Sequence, residues 1–259
     1  MKNPLRKTKG YWAYQAKRII NRMRGASKNN DDNDWRLYHY LYREELSEIK
    51  KAHTLLLSPG DYAFENGTLA LQRNVLPLHP NHRLLYETIL QLGPERIYEA
   101  GCGGGDHLYN LGMLAPKIGL YGGDISNEQL LFLKQRHPDL KATISQIDIT
   151  LPFSFLWPRV ELCFTQAVIM HIHTGNGQSV ALSNLFKISQ RHVILMENWR
   201  AHNFMDLIRQ LFEKKMIPWE KIYFYYRLSP ELNKPHIMII SSVQLPYELL
   251  TKYEILLEK

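Results

Sequence analysis

The feature that most restricts what this chain can fold into is a turn. Ile97-Tyr98-Glu99-Ala100 reads as a short apolar strand, and it runs directly into Gly101-Cys102-Gly103-Gly104-Gly105-Asp106, with glycine at every second position before a helix-like segment begins. Such a run lets the backbone bend sharply and lets a ligand touch main-chain atoms with no side chain in between. The dinucleotide fingerprint G-x-G-x-x-G, aligned from Gly101, requires glycine at position 106, where Asp106 stands. A nicotinamide or flavin cofactor is thereby disfavoured.

From residue 80 onward strand-like and helix-like patterns alternate, which implies parallel βαβ units. Strands are expected at about 96–100, 118–123, 141–147, 160–165, 191–197, 221–227 and 236–242. The last two are joined by too few residues for a crossover helix, so they must pair antiparallel. The expected fold is α/β: a doubly wound, seven-stranded, mostly parallel sheet with an antiparallel C-terminal hairpin, preceded by an N-terminal helical and hairpin cap. The boundaries read as a basic arm over 1–28, the cap over 29–80, the main domain over 81–245 and a tail over 246–259. Within the cap, a helix over about 35–54 is followed by strands on either side of Glu65-Asn66-Gly67, where Asn-Gly is a hairpin turn signal.

Charge is unevenly spread. Residues 1–28 hold nine Lys or Arg and no acid, so the remaining 23 basic and 25 acidic residues leave the rest of the chain at about −2. Trp12, Ala16, Ile19, Ile20 and Met23 make one apolar stripe of a helix in that arm, a pattern that suits an anionic membrane surface and equally suits packing on the protein's own body. No apolar run approaches the roughly 18 residues of a membrane span, and no secretory signal is read at the N-terminus. A cytoplasmic protein is expected, with peripheral contact at the inner membrane surface through residues 1–28. Cys102 and Cys163 lack metal-ligand spacing and read as packing residues.

The acidic Glu99 followed by x-G-x-G-x-G resembles the first motif of class I S-adenosylmethionine-dependent methyltransferases, closest in style to the bacterial small-molecule and glycan O-methyltransferases. The terminal antiparallel hairpin resembles the end of their Rossmann-like sheet. The resemblance implies S-adenosylmethionine as cofactor, held by Glu99 and by the backbone of Gly101, Gly103 and Gly105. Asp124, 19 residues beyond Gly105, ends the next strand where a carboxylate can accept both ribose hydroxyl protons, with Ile125 beside it. Ser126 and Gln129 read as a capping box. Asp148 is placed to accept from the adenine amino group, Ile149 to cover the ring face, and Gln166 to reach the cofactor's edge.

Methyl transfer to a hydroxyl needs alignment and a base. His171 and His173, after the fourth strand, are the leading bases because imidazole titrates near neutrality, with Glu197 as a further catalytic candidate. Glu197-Asn198 resembles the carboxylate and amide that hold magnesium in some metal-dependent O-methyltransferases, but Gln166 stands where those enzymes carry another carboxylate. Tyr62, His82, Asn198 and His202 are the expected substrate contacts, and Asn81 reads as a helix cap. The expected acceptor is a sugar or glycan hydroxyl. The alternatives are an RNA ribose, a small natural product handled with a metal at Glu197, and a non-enzymatic binding module that keeps the cofactor fold.

Overall fold

The computed structural model describes residues 55–173, 175–229 and 234–257. The basic arm and the helix expected over 35–54 lie outside the described residues. Strands β1 (Tyr62–Glu65) and β2 (Thr68–Leu71) form a hairpin, followed by α1 (Pro80–Leu92), β3 (Arg96–Ala100), α2 (Asp106–Leu114), β4 (Gly119–Asp124), α3 (Asn127–Arg136), β5 (Ala142–Gln146) and β6 (Val160–Gln166). Then come α4 (Gly177–Ile188), β7 (Ser189–Met196), α5 (Phe204–Glu213), β8 (Tyr223–Ser229) and β9 (Lys234–Ser241). In the hairpin turn Asn66 and Gly67 both take positive φ, 50° and 79°, as a two-residue turn matched to strand twist requires.

Seven strands form one sheet in the order β5-β4-β3-β6-β7-β9-β8. The first five pair in parallel, and β9 inserts antiparallel between β7 and β8. Observed and expected strand limits differ by two residues or fewer. One core lies between the sheet and α1, α2, α3 and the hairpin, and a second lies between the sheet and α4 and α5. Helices therefore cover both faces, and the strand order reverses between β3 and β6. In such sheets the crevice outside the strands' carboxyl ends, at that reversal, is where ligands bind.

The hairpin belongs to the first core. Leu69 is buried there and its N–H donates to Glu87 Oε1 at 2.8 Å, while Asn110 of α2 bonds the backbone of both Leu55 and Leu57. The C-terminal segment joins the second core through Leu250, Tyr253 and Leu256.

Two helix starts differ from the sequence reading. His79, not Asn81, caps α1: its Nδ1 accepts the Asn81 N–H at 3.2 Å, and Pro80, whose fixed φ suits the first helical position, already stands inside the helix. At α3, Ser126 Oγ accepts the Gln129 N–H at 3.3 Å as expected, but the return half of the box is missing. The Ser126 N–H donates instead to Asp124 Oδ1 at 2.8 Å, and Gln129 Oε1 is buried without a partner.

Candidate cofactor and acceptor site

The turn after β3 holds three left-handed glycines, with φ of 71°, 48° and 80° at Gly101, Gly103 and Gly105. They are required for different reasons. A Cβ on Gly101 would lie 2.5 Å from Val168 Cγ2, and one on Gly105 would lie 2.6 Å from Leu133 Cδ1, so these two are fixed by packing within the protein. A Cβ on Gly103 would meet nothing within 4 Å. The middle glycine therefore faces open space, as a backbone cradle for a ligand should.

Asp124, at the end of β4, ties the turn down: Oδ2 accepts the Gly103 N–H at 2.9 Å and Oδ1 accepts from Ser126. Burial pushes its pKa up and these two bonds oppose the rise. Asp106 points elsewhere. Arg136 grips it through two bonds of 2.7 and 3.1 Å, and His137 Nε2 lies 2.8 Å away with Tyr109 stacked on its ring.

Glu99 has no such company. It is 2% exposed, its Oε2 has no hydrogen-bond partner, and burial, with Asp106 and Asp124 adding to it, holds its pKa well above the ordinary 4.5. A buried carboxylate oxygen under a glycine turn, with two further acids nearby, is a place where a cation is strongly favoured. Of the other expected cofactor contacts, Ile125 is half exposed, and Asp148 Oδ1 is engaged by Thr150 N and Oγ1 at 2.9 and 2.6 Å. Ile149 is 9% exposed in the second core, with its carbonyl bonded by Asn184 of α4.

After β6 the chain bends at Ala167, whose φ is 53°. Glu197, at the end of β7, organises this bend. Oε1 accepts Thr165 Oγ1 (2.7 Å) and the Val168 and Ile169 amides (3.1 and 3.2 Å), and Oε2 accepts the Val168 and Met170 amides (both 3.1 Å). Burial raises its pKa and all these donors oppose the rise. The expectation that Glu197 meets a substrate or a metal is corrected here, because its lone pairs are committed to one stretch of backbone. Asn198 is exposed and its Oδ1 accepts the Arg200 N–H at 3.2 Å, a local turn. Among the described residues no group of three His, Cys, Asp or Glu is placed to hold a metal ion.

Histidines gather in two groups, one on each side of the sheet's carboxyl edge. His173 lies with His202, their ring centres 6.0 Å apart, and His202 stacks on Phe204 of α5 and meets Gln178 of α4. Burial and the neighbouring His173 lower the His202 pKa. His171 ends a short 3-10 turn, Ile169–His171, in the stretch held by Glu197.

On the side of α1 and α2, His82 is 4% exposed and approaches the Gln166 amide at 3.5 Å. The far end of that amide is buried with no partner. The His82 ring lies edge-on to His107, 4.7 Å between centres. Asn110 Nδ2 donates to Tyr86 Oη at 3.2 Å, and Tyr86 Oη lies 2.9 Å from His107 Nδ1. Burial holds the Tyr86 phenol far above its ordinary pKa, so it keeps its proton in this contact. His107, in the first turn after the glycines, was missed from sequence; a histidine directly following a cofactor turn was the available signal. Tyr62, expected to meet substrate, instead takes the Leu78 N–H on its hydroxyl at 2.9 Å and fastens the hairpin.

No family model matches the chain, and no curated protein matches it in sequence. Solved structures match in fold. The methyltransferase domain of bacterial CtHen1-CN is similar over 63% of this chain and 98% of its own, at 16% identity and a TM-score of 0.50. Magnesium protoporphyrin IX methyltransferase from Synechocystis PCC 6803, solved with bound SAM, is similar over 62% of this chain and 77% of its own, at 17% identity and a TM-score of 0.48. The sugar N-methyltransferase KedS8 from Streptoalloteichus sp ATCC 53650 is similar over 62% of this chain and 53% of its own, at 12% identity and a TM-score of 0.42. The likeness is one of fold: the sheet with its inserted last strand is that of the class I S-adenosylmethionine-dependent methyltransferases.

Proposed function

We propose that this protein is an S-adenosylmethionine-dependent methyltransferase whose acceptor is a sugar or glycan hydroxyl. The observation that carries the reading is the unpartnered Oε2 of Glu99 beneath the glycine turn. Bound there, S-adenosylmethionine supplies a methyl group activated on a sulfonium, together with an ammonium. Glu99 would take the ammonium, and the Gly103 backbone would lie against the ligand because no Cβ intervenes. Asp124 keeps lone pairs for ribose hydroxyls after accepting its two amides. Asp148 and Ile125 would border the base, and Gln166 the reacting end.

The acceptor's proton goes to a histidine at the mouth. His171 and His173 are candidates by position, and His82 is favoured by its contact with Gln166 at the reversal of strand order. The Tyr86–His107 pair at its edge orients the ring. Imidazole and amide groups without a carboxylate pair suit a polyhydroxylated, uncharged acceptor.

The test is titration calorimetry with the cofactor and its demethylated product, followed by transfer of labelled methyl to sugars, glycans and RNA. His82→Asn should lower kcat roughly 100-fold, the usual contribution of a general base, with cofactor affinity unchanged. No heat with either nucleoside would overturn the cofactor reading. Label on RNA and on no carbohydrate would replace the acceptor.

A further inference from the structure

The end of the sheet opposite the glycine turn carries a protruding apolar loop. Between β5 and β6 the chain returns from the carboxyl to the amino end of the sheet without a helix. Thr150 lies beside Gly177 at the start of α4, the Leu151 carbonyl accepts Asn184, and Phe153 lies under Lys187 Nζ at 5.9 Å near the helix's end. The loop at the foot of this descent is closed by Trp157 N–H to the Ser154 carbonyl, 3.1 Å. Phe153 braces it by meeting both Phe155 and Trp157 edge-on, at 5.7 and 5.6 Å. At the tip Phe155 and Leu156 are each 94% exposed.

The surrounding edge is basic. Lys117, Lys141, Arg159, Lys187, Arg191 and Lys221 each stand within two residues of the start of β4, β5, β6, β7 or β8, and these starts share one end because the strands run the same way. The acids beside strand starts at that end are Glu95, Asp139, Glu220 and Glu161, Glu99 lying at the other end of β3, and Glu161 is engaged by Arg96 at 2.7 Å.

We propose that this end of the molecule docks on an anionic lipid bilayer, with Phe155 and Leu156 entering the acyl region and the cations facing the headgroups. A protein partner needs about 800 Å² of complementary surface on each side, far more than a two-residue tip offers. A nucleic acid would engage the cations and leave the tip in water. A bilayer accepts a small wedge of any shape, and rings such as Trp157 favour its interface. The nine cations and no acids of residues 1–28 add to the same attraction. The proposal does not depend on the proposed chemistry.

The experiment is sedimentation of the full chain with vesicles of phosphatidylglycerol and phosphatidylcholine, compared with phosphatidylcholine alone. Binding to the anionic vesicles is expected, with a loss of roughly 10-fold or more in partitioning for the double variant Phe155→Ser, Leu156→Ser, from the apolar area withdrawn. Arg159→Gln with Lys187→Gln should lose a few-fold and weaken the salt dependence. Brominated lipid should quench tryptophan fluorescence less in Trp157→Phe than in the wild type. Absence of binding to anionic vesicles, or binding by the serine variant within two-fold of the parent, overturns the proposal. Cofactor heat is read on the same samples, so failure here is separable from failure of the methyltransferase reading.

Discussion

Glu99 and Glu197 are both buried carboxylates at the carboxyl ends of parallel strands, β3 and β7, that flank β6, and both have raised pKa values, yet their surroundings are opposite. Glu197 receives three backbone amides and a hydroxyl, and holds one bend of chain in place. Glu99 has an oxygen with no partner and two acids close enough to raise its pKa further. Burial alone therefore says little about the role of an ionisable group. What separates a structural acid from a ligand-seeking one is whether the protein completes its hydrogen bonds itself.

That contrast is broken or sharpened by substitution. The largest expected effect is on stability in Glu197→Ala, which strands four donors and should cost roughly 3–5 kcal/mol, seen as a fall of about 10 °C in Tm. A Tm within about 2 °C of wild type would deny Glu197 its structural role. Glu99→Gln should do the reverse, leaving Tm unchanged or raised while weakening cofactor binding about 30-fold by calorimetry, in line with losing a charge-assisted bond. A lowered Tm with unchanged affinity would make Glu99 the structural acid after all.

Gly103→Ala comes next. Left-handed φ costs about 1 kcal/mol or a little more, and the added methyl, which touches nothing in the protein, should cost about 10-fold in cofactor affinity. Gly101→Ala, by contrast, should lower Tm through its collision with Val168.

The smallest effect is a pH dependence. The folded pKa of Glu99 lies above 4.5, so the free protein loses stability as pH rises from 4.5 through that raised value. A bound cation favours the ionised form, so cofactor affinity should be full above the raised value and fall a few-fold as pH drops through it. Glu99→Gln should abolish that slope.

Much of this was legible in the chain. The strand positions, the terminal hairpin and the glycine turn follow from local periodicity and from backbone demands that glycine alone meets, and observed and expected strand limits agree within two residues. What faces what was not legible. A glutamate at a strand end reads the same whether it looks into a crevice or back at its own neighbours' amides, so the sequence alone offers Glu197 as a catalytic group. The pairing of His82 with His107 and Gln166 joins α1, α2 and β6, contacts that exist only after the sheet has formed. Only the return half of the capping box at Ser126 is absent, because Asp124, two residues earlier, reaches the amide that Gln129 would satisfy.

Val168 leans on Gly101 at a distance no Cβ could share. Two positions 67 residues apart in the chain are thus sterically tied, in one direction only. A side chain gained at 101, already strained by a φ of 71°, demands a smaller residue at 168, whereas a smaller residue at 168 demands nothing of 101.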